Sequence, residues 1–177
     1  VFLVNGREAG PGACRYPDAD SVYQDVRDVA LQGLRRKSPF TMTISARVED
    51  GVVRGSLHIK GPTRSGRNVE LILAEKGAIY PGLGATVVHR MVARAALTSS
   101  ARGIKWQPTN GVMEIPFERA LSEIESANIA FLDQYEKQGG SPASRLSTRI
   151  AKDQLVVVAV LREPDTRIVE QSVQCDV

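Results

Sequence analysis

The sequence predicts an α+β protein dominated by an antiparallel β-sandwich, and three observations carry that expectation. Over residues 39–60, Phe40, Met42, Ile44, Ala46 and Val48 alternate with Thr41, Thr43, Ser45, Arg47 and Glu49, an Asp50-Gly51 turn follows, and Val53, Gly55, Leu57 and Ile59 then alternate with polar neighbours. Each arm has one apolar and one wet face, the pattern of a half-buried hairpin. Near the other end, the apolar run from Leu155 to Leu161 is followed by a Glu163-Pro164-Asp165 turn and a returning strand over 167–175, a second hairpin. Finally, only two stretches show helical spacing. That is too few for repeated β-α-β crossovers, so the sheets should be antiparallel.

Taken in order, Val1-Phe2-Leu3-Val4 reads as a strand ending at Asn5-Gly6, and a Gly/Pro loop follows. Val22, Val26, Val29, Ala30 and Leu34 recur at helical spacing with Asp18, Asp20 and Ser21 available as caps, which places a helix at 19–36. Arg35-Arg36-Lys37 closes it, where cations favour the negative end of the helix dipole. After the hairpin and a turn from Gly61 to Gly66 comes a strand over 68–75 with Val69, Leu71 and Leu73 on one face, and Glu75-Lys76-Gly77 reads as another turn. Residues 86–97 form a further strand, although 91–97 also tolerate a helix. Short strands at 104–106 and 112–115 flank an Asn110-Gly111 turn. Pro116 is expected to open a long helix over 116–138, since Phe117, Leu121, Ile124, Ala127, Phe131 and Tyr135 share one face and Gly139-Gly140 ends it.

Composition excludes more than it selects. With 177 residues, 42% hydrophobic and 24% charged, the chain has ordinary globular usage, and no apolar run approaches the ~20 residues a membrane-spanning helix needs. The net charge of +3 is mild and scattered, so no nucleic-acid stripe is expected. The chain opens within a strand, without initiator Met or signal peptide, which leads us to expect further sequence upstream. Cys14 and Cys175 form no Cys-x-x-Cys motif and no metal-ligand spacing; they are either a disulfide joining the N-terminal segment to the last strand or two separate thiols.

Nothing in the chain demands a catalytic chemistry. Serines occupy neither a Gly-x-Ser-x-Gly nor a Ser-x-x-Lys setting, and Gly82-Leu83-Gly84 lacks the third glycine and the lysine of a phosphate cradle. We expect no catalytic residue, no metal and no cofactor. His58 falls on the wet face of its strand. His89 lies on one face with Val87, Met91 and Ala93, where it is either a structural histidine or an imidazole at a pocket rim. Tyr80 and Trp106 either line a cleft or pack in the core. Glu118, Glu123 and Glu125 read as a solvated helix face.

Several blocks resemble bacterial envelope proteins that join a thioredoxin-like domain to an Ig-like β domain. Val1-Phe2-Leu3-Val4-Asn5-Gly6-Arg7 is similar to a late thioredoxin strand, and the helix after it to that fold's final helix. Glu75-Lys76-Gly77 to Tyr80-Pro81-Gly82, then His89-Arg90-Met91-Val92-Ala93-Arg94, resembles their acidic-Gly turn, Tyr-x-Gly step and His-x-x-Val-x-Arg strand; the terminal hairpin matches as well. The resemblance implies a thioredoxin-fold remnant over 1–37, an Ig-like sandwich with an inserted helix over 38–177, and a periplasmic, envelope or extracellular location. It departs where redox chemistry would sit, since the chain has no Cys-x-x-Cys. Arg94 joins His89, Tyr80 and Trp106 as a binding candidate.

Two functions from different classes follow: a non-catalytic binding or assembly module with a protein partner, or the accessory half of a thiol–disulfide oxidoreductase whose Cys-x-x-Cys lies upstream. A carbohydrate-binding sandwich would need a row of exposed aromatics, which 5% aromatic content disfavours.

Overall fold

The computed structural model describes residues 2–10, 16–63, 66–79, 88–100, 102–140 and 148–177. At the N-terminus Asn5-Gly6 turns a two-stranded antiparallel hairpin, β1 (Phe2–Val4) and β2 (Arg7–Gly10), where the sequence reading has one strand and a loop. The Gly10-Pro11-Gly12 signature hides the second arm. Helix α1 (Ala19–Arg35) lies against this hairpin, as its apolar spacing predicts, but no side chain of α1 is fully buried.

The alternation over 41–60 becomes strands β3 (Thr41–Glu49) and β4 (Val52–Lys60), paired without a register break about Asp50-Gly51. Strand β5 runs from Asn68 to Ile79, β6 spans Val88–Ala96, and the short β7 (Ile104–Lys105) pairs with the start of β5. Two expectations are corrected here. Glu75-Lys76-Gly77 is not a turn, because Glu75 and Gly77 are paired with Val92 and Arg90 inside the ladder. Asn110-Gly111 does turn the chain, but β7 goes to β5 and not to the strand after the turn.

Strand β8 extends over Val112–Ala120, and helix α2 begins only at Leu121 and ends at Lys137. Pro116 therefore sits mid-strand instead of opening a helix, which corrects the expected 116–138 boundary. The physical reason is that β8 pairs with β4 alone. On an edge strand, a residue without an N–H loses no hydrogen bond when its nitrogen faces the free side. Phe117 and Glu118 move with it onto the strand. The chain closes with β9 (Leu155–Arg162) and β10 (Val169–Asp176), the antiparallel hairpin expected from sequence.

The strands form a three-stranded sheet, β3-β4-β8, and a larger one, β10-β9-β5-β6 with β7 beside β5. The sheets pack face to face. Val53, Leu57 and Ile59 from one sheet meet Val69, Leu71, Leu73, Leu155, Val157 and Leu161 from the other, all essentially without solvent exposure. Burying each such side chain is worth ~1.5–3 kcal/mol, so this layer supplies the main driving force for folding. Leu121 and Ile124 of α2 reach into the same core. On one side Gln171 Nε2 donates to Phe40 O at 3.1 Å, bridging β10 and the start of β3; on the other Arg119 Nη1 donates to Ala96 O at 3.0 Å, bridging β8 and β6.

Gly55 is inward-facing beneath Phe117, and a Cβ there would run into the Ser45 carbonyl oxygen and the Phe117 ring. We expect Gly55→Ala to lower stability by about 1–3 kcal/mol in a thermal melt, the usual cost of overpacking. An unchanged melting temperature would contradict the sheet packing.

Candidate functional site

Two strands of the larger sheet each carry one extra residue, and both extra residues are charged. Between Ala93 and Ala95 the register of β6 on β5 shifts and Arg94 is the unmatched residue; between Val169 and Gln171 the register of β10 on β9 shifts and Glu170 is the unmatched one. A bulge re-aims the side chain it carries. Here each bulge delivers a charge to a partner at one end of β5.

At the end of β5 nearest α2, Glu75 continues the inward series Val69, Leu71, Leu73 and is 1% exposed. Its carboxylate receives Arg94 Nε and Nη2 at one oxygen and the Ala151 N–H, at 2.5 Å, at the other. Glu125 on α2 accepts the neighbouring Ile150 N–H at 3.1 Å, so the helix and 148–154 are both fastened to this end of the sandwich. At the opposite end Arg67 holds Glu170 through Nε and Nη2 at 3.0 and 2.6 Å, and Glu163 Oε1 lies 3.7 Å from the same nitrogen. The hydrogen bonds to Glu170 keep the Arg67 guanidinium more firmly protonated than usual. On the outer face of the same sheet Arg162 donates to Glu70 at 2.6 Å and Lys76 pairs with Asp176 at 2.7 Å.

The residues singled out from sequence make the following contacts. Arg94 holds the buried Glu75 carboxylate. Trp106 is 2% exposed, packs edge-to-face on Phe40 at 5.7 Å and donates its indole N–H to Pro62 O at 3.0 Å, so it fills the core at the far end of the sandwich. Trp106 N–H bonds to Arg67 O before β5, whereas Arg94 pairs with Glu75 near its end. At the usual strand rise the two lie roughly 25 Å apart. His89 is half-buried opposite Ala78, near the Arg94 end. Tyr80 and Cys14 lie outside the described residues, and so does any Cys14–Cys175 pairing. His58, expected to be solvated, has Glu114 Oε1 3.2 Å from its Nε2 on the exposed face. Sequence reading missed Glu75 and Glu170. The signal for Glu75 was present, since it occupies an inward parity position, but a turn signature was read there instead.

Cys175 is half-buried on β10 opposite Val157, and burial, assisted by the adjacent Asp176 charge, pushes its thiol pKa above the ordinary value. The neutral thiol is the form the fold favours. That contribution to stability is present below the ordinary thiol pKa and lost as pH rises through the raised folded value. Labelling by an aromatic disulfide reagent should be slow at neutral pH and accelerate only above the usual thiol range. Labelling at neutral pH as fast as that of a small free thiol would contradict it.

Among the described residues no cluster of three or more His, Cys, Asp or Glu is arranged to hold a metal ion, and no helix is long and apolar enough to cross a membrane. A cleft of about 720 Å³ lies between the end of α1, the β1–β2 turn and the start of β10. Val169 N–H donates to Asn5 O at 3.0 Å at its base, joining the N-terminal hairpin to the sandwich.

The sequence matches no protein-family model and no curated protein. The structure is similar to that of a domain of the outer membrane lipoprotein Omp28 from Porphyromonas gingivalis, with a TM-score of 0.52 and 13% sequence identity over 80% of this chain and 90% of that one. At that identity the likeness establishes a shared fold, an α+β, mainly antiparallel sandwich.

Proposed function

We propose that the chain is a non-catalytic binding or assembly module of the bacterial cell envelope with a protein partner. The observation that carries this reading is how its buried charges are used: the Glu75 carboxylate accepts from both Arg94 and the Ala151 N–H, so this end of the sandwich interior is closed by structural bonds and its surfaces are left for function. The fold it shares with an outer membrane lipoprotein domain supports the envelope location, which could be periplasmic or surface-exposed. In this reading 38–177 form an Ig-like sandwich and 1–37 a separate unit.

A second reading is favoured by one observation. Helix α1 packs on the two strands of the N-terminal hairpin, buries no side chain fully, and leaves its Tyr23 and Leu34, with Leu3 of the hairpin, exposed. Such a unit fits the end of a thioredoxin-like domain, and the chain would then be the accessory half of a thiol–disulfide oxidoreductase.

Fractionation of cells making the full natural polypeptide, combined with chemical crosslinking and an insulin-reduction assay, separates the two. The binding-module reading expects envelope recovery, a discrete crosslinked adduct and no reductase turnover. Recovery in the cytosolic fraction or catalytic reduction of insulin would overturn it.

A further inference from the structure

The cleft between the N-terminal hairpin-helix and the sandwich carries an imbalance of charge. Arg7 follows the β1–β2 turn, and Arg36 and Lys37 follow the last turn of α1; all three are exposed and line the recess. Among the described residues none of the three makes an ion pair. The carboxylates on the opposing wall are Glu163 and Glu170, and both are already engaged. Arg67 holds Glu170 through two hydrogen bonds and approaches Glu163, which also accepts the Thr166 hydroxyl at 2.7 Å. Arg67 does not line the recess but is spent on these two carboxylates, so Arg7, Arg36 and Lys37 have no carboxylate left to them among the lining residues. Two of the neutral polar groups are already used: the Gln171 amide is taken at Nε2 by Phe40 O and at Oε1 by the Ser172 N–H, and Ser38 Oγ accepts the Phe40 N–H.

Beside the cations the wall is mixed, with Val4, Leu34 and Ile168 among polar neighbours such as Asn5 and Gln32, and Leu34 is 81% exposed. A volume of about 720 Å³ falls within the ~300–1,000 Å³ of ligand sites and far exceeds a single small anion. Unpaired cations beside an uncovered leucine ask for carboxylates alternating with an apolar side chain. We propose that this cleft binds a short acidic peptide segment of a partner protein, its carboxylates facing Arg7, Arg36 and Lys37 and an apolar side chain covering Leu34. The proposal rests on the binding-module reading and names the chemistry of the partner.

The test is fluorescence anisotropy on the whole chain with a labelled peptide alternating Glu and Leu, a matched peptide alternating Gln and Leu, and inorganic phosphate as competitor. The expected result is binding of the Glu/Leu peptide that weakens as salt rises and falls at least ~tenfold in the triple variant Arg7→Glu, Arg36→Glu, Lys37→Glu. Arg47→Glu, on the outer face of the three-stranded sheet, should bind like the parent. The three substitutions are at exposed positions, so the melting temperature should hold and a loss of binding can be read as loss of the site.

No binding of the Glu/Leu peptide, equal binding of the Gln/Leu peptide, full binding by the triple variant, or complete displacement by phosphate would each overturn the proposal; the last would make the cleft a small-anion site. A cellular crosslink that survives the triple charge reversal would reject the cleft while leaving the binding-module reading standing.

Discussion

Arg94→Ala should destabilise the protein by about 3–5 kcal/mol, because it strips the counter-charge from a carboxylate that water cannot reach. Glu75 is 1% exposed and faces the apolar layer between the sheets, and the Ala151 N–H alone cannot balance a full negative charge there. For a chain of this size the loss corresponds to a fall of roughly 10 °C in melting temperature. The informative control is the double variant Glu75→Leu, Arg94→Met, which removes both charges and keeps most of the volume. It should melt well above Arg94→Ala, since an apolar pair avoids the desolvation penalty that a lone carboxylate carries. If Arg94→Ala melts with the parent, or if the double variant is the least stable of the set, the ion pair does not hold this end of the sandwich. Because Ala151 is hydrogen-bonded to Glu75, amide exchange in 148–154 should quicken in Arg94→Ala before the rest of the sheet responds.

Val157→Asp should abolish cooperative folding. Val157 has no exposed surface and lies between Leu73 on β5 and Cys175 on β10, with the opposite sheet above it. A carboxylate at that point has no partner among the cross-strand neighbours, and burying it costs several kcal/mol, comparable with the whole stability of a domain. The same substitution one residue along tests the parity of the strand. Val158 faces the outer side of the sheet and is half-buried, so Val158→Asp should keep a melting transition, measured by circular dichroism. A cooperative melt for Val157→Asp near the parent value would contradict the core assignment.

The parts of the fold legible in the sequence are those where one local signal acts alone. The hairpin of β3 and β4 follows from strict alternation about Asp50-Gly51, and the hairpin of β9 and β10 from an apolar run and a proline turn. Misreadings arose where two signals overlap and tertiary context decides. Pro116 is as compatible with a first helical turn as with an unpaired strand edge, and only the position of β8 at the margin of its sheet selects the second. Glu75-Lys76-Gly77 has the composition of a turn, yet Glu75 is paired with both β6 and β9 and Gly77 with β6, which keeps the segment extended. The side-chain contacts were less legible. Trp106, which from sequence either lines a cleft or packs in the core, is held in the core by Phe40 and the Pro62 carbonyl. The charged bulges have no local signature, because a one-residue register shift depends on two strands and is written in neither.

The irregularities of the open strands bear on how the molecule keeps apart from its own copies. A run such as Leu155 to Leu161 would favour fibril growth if a flat neighbouring strand offered a template. Of the margins on the side away from β3 and β10, one carries Pro116, which cannot donate, and the other is kinked by the extra residue at Arg94 and by Met91 in a left-handed conformation. Neither presents the regular row of donors and acceptors that strand-by-strand accretion requires. The substitution that straightens such a margin, Pro116→Val, is therefore where self-association of the native protein should first emerge.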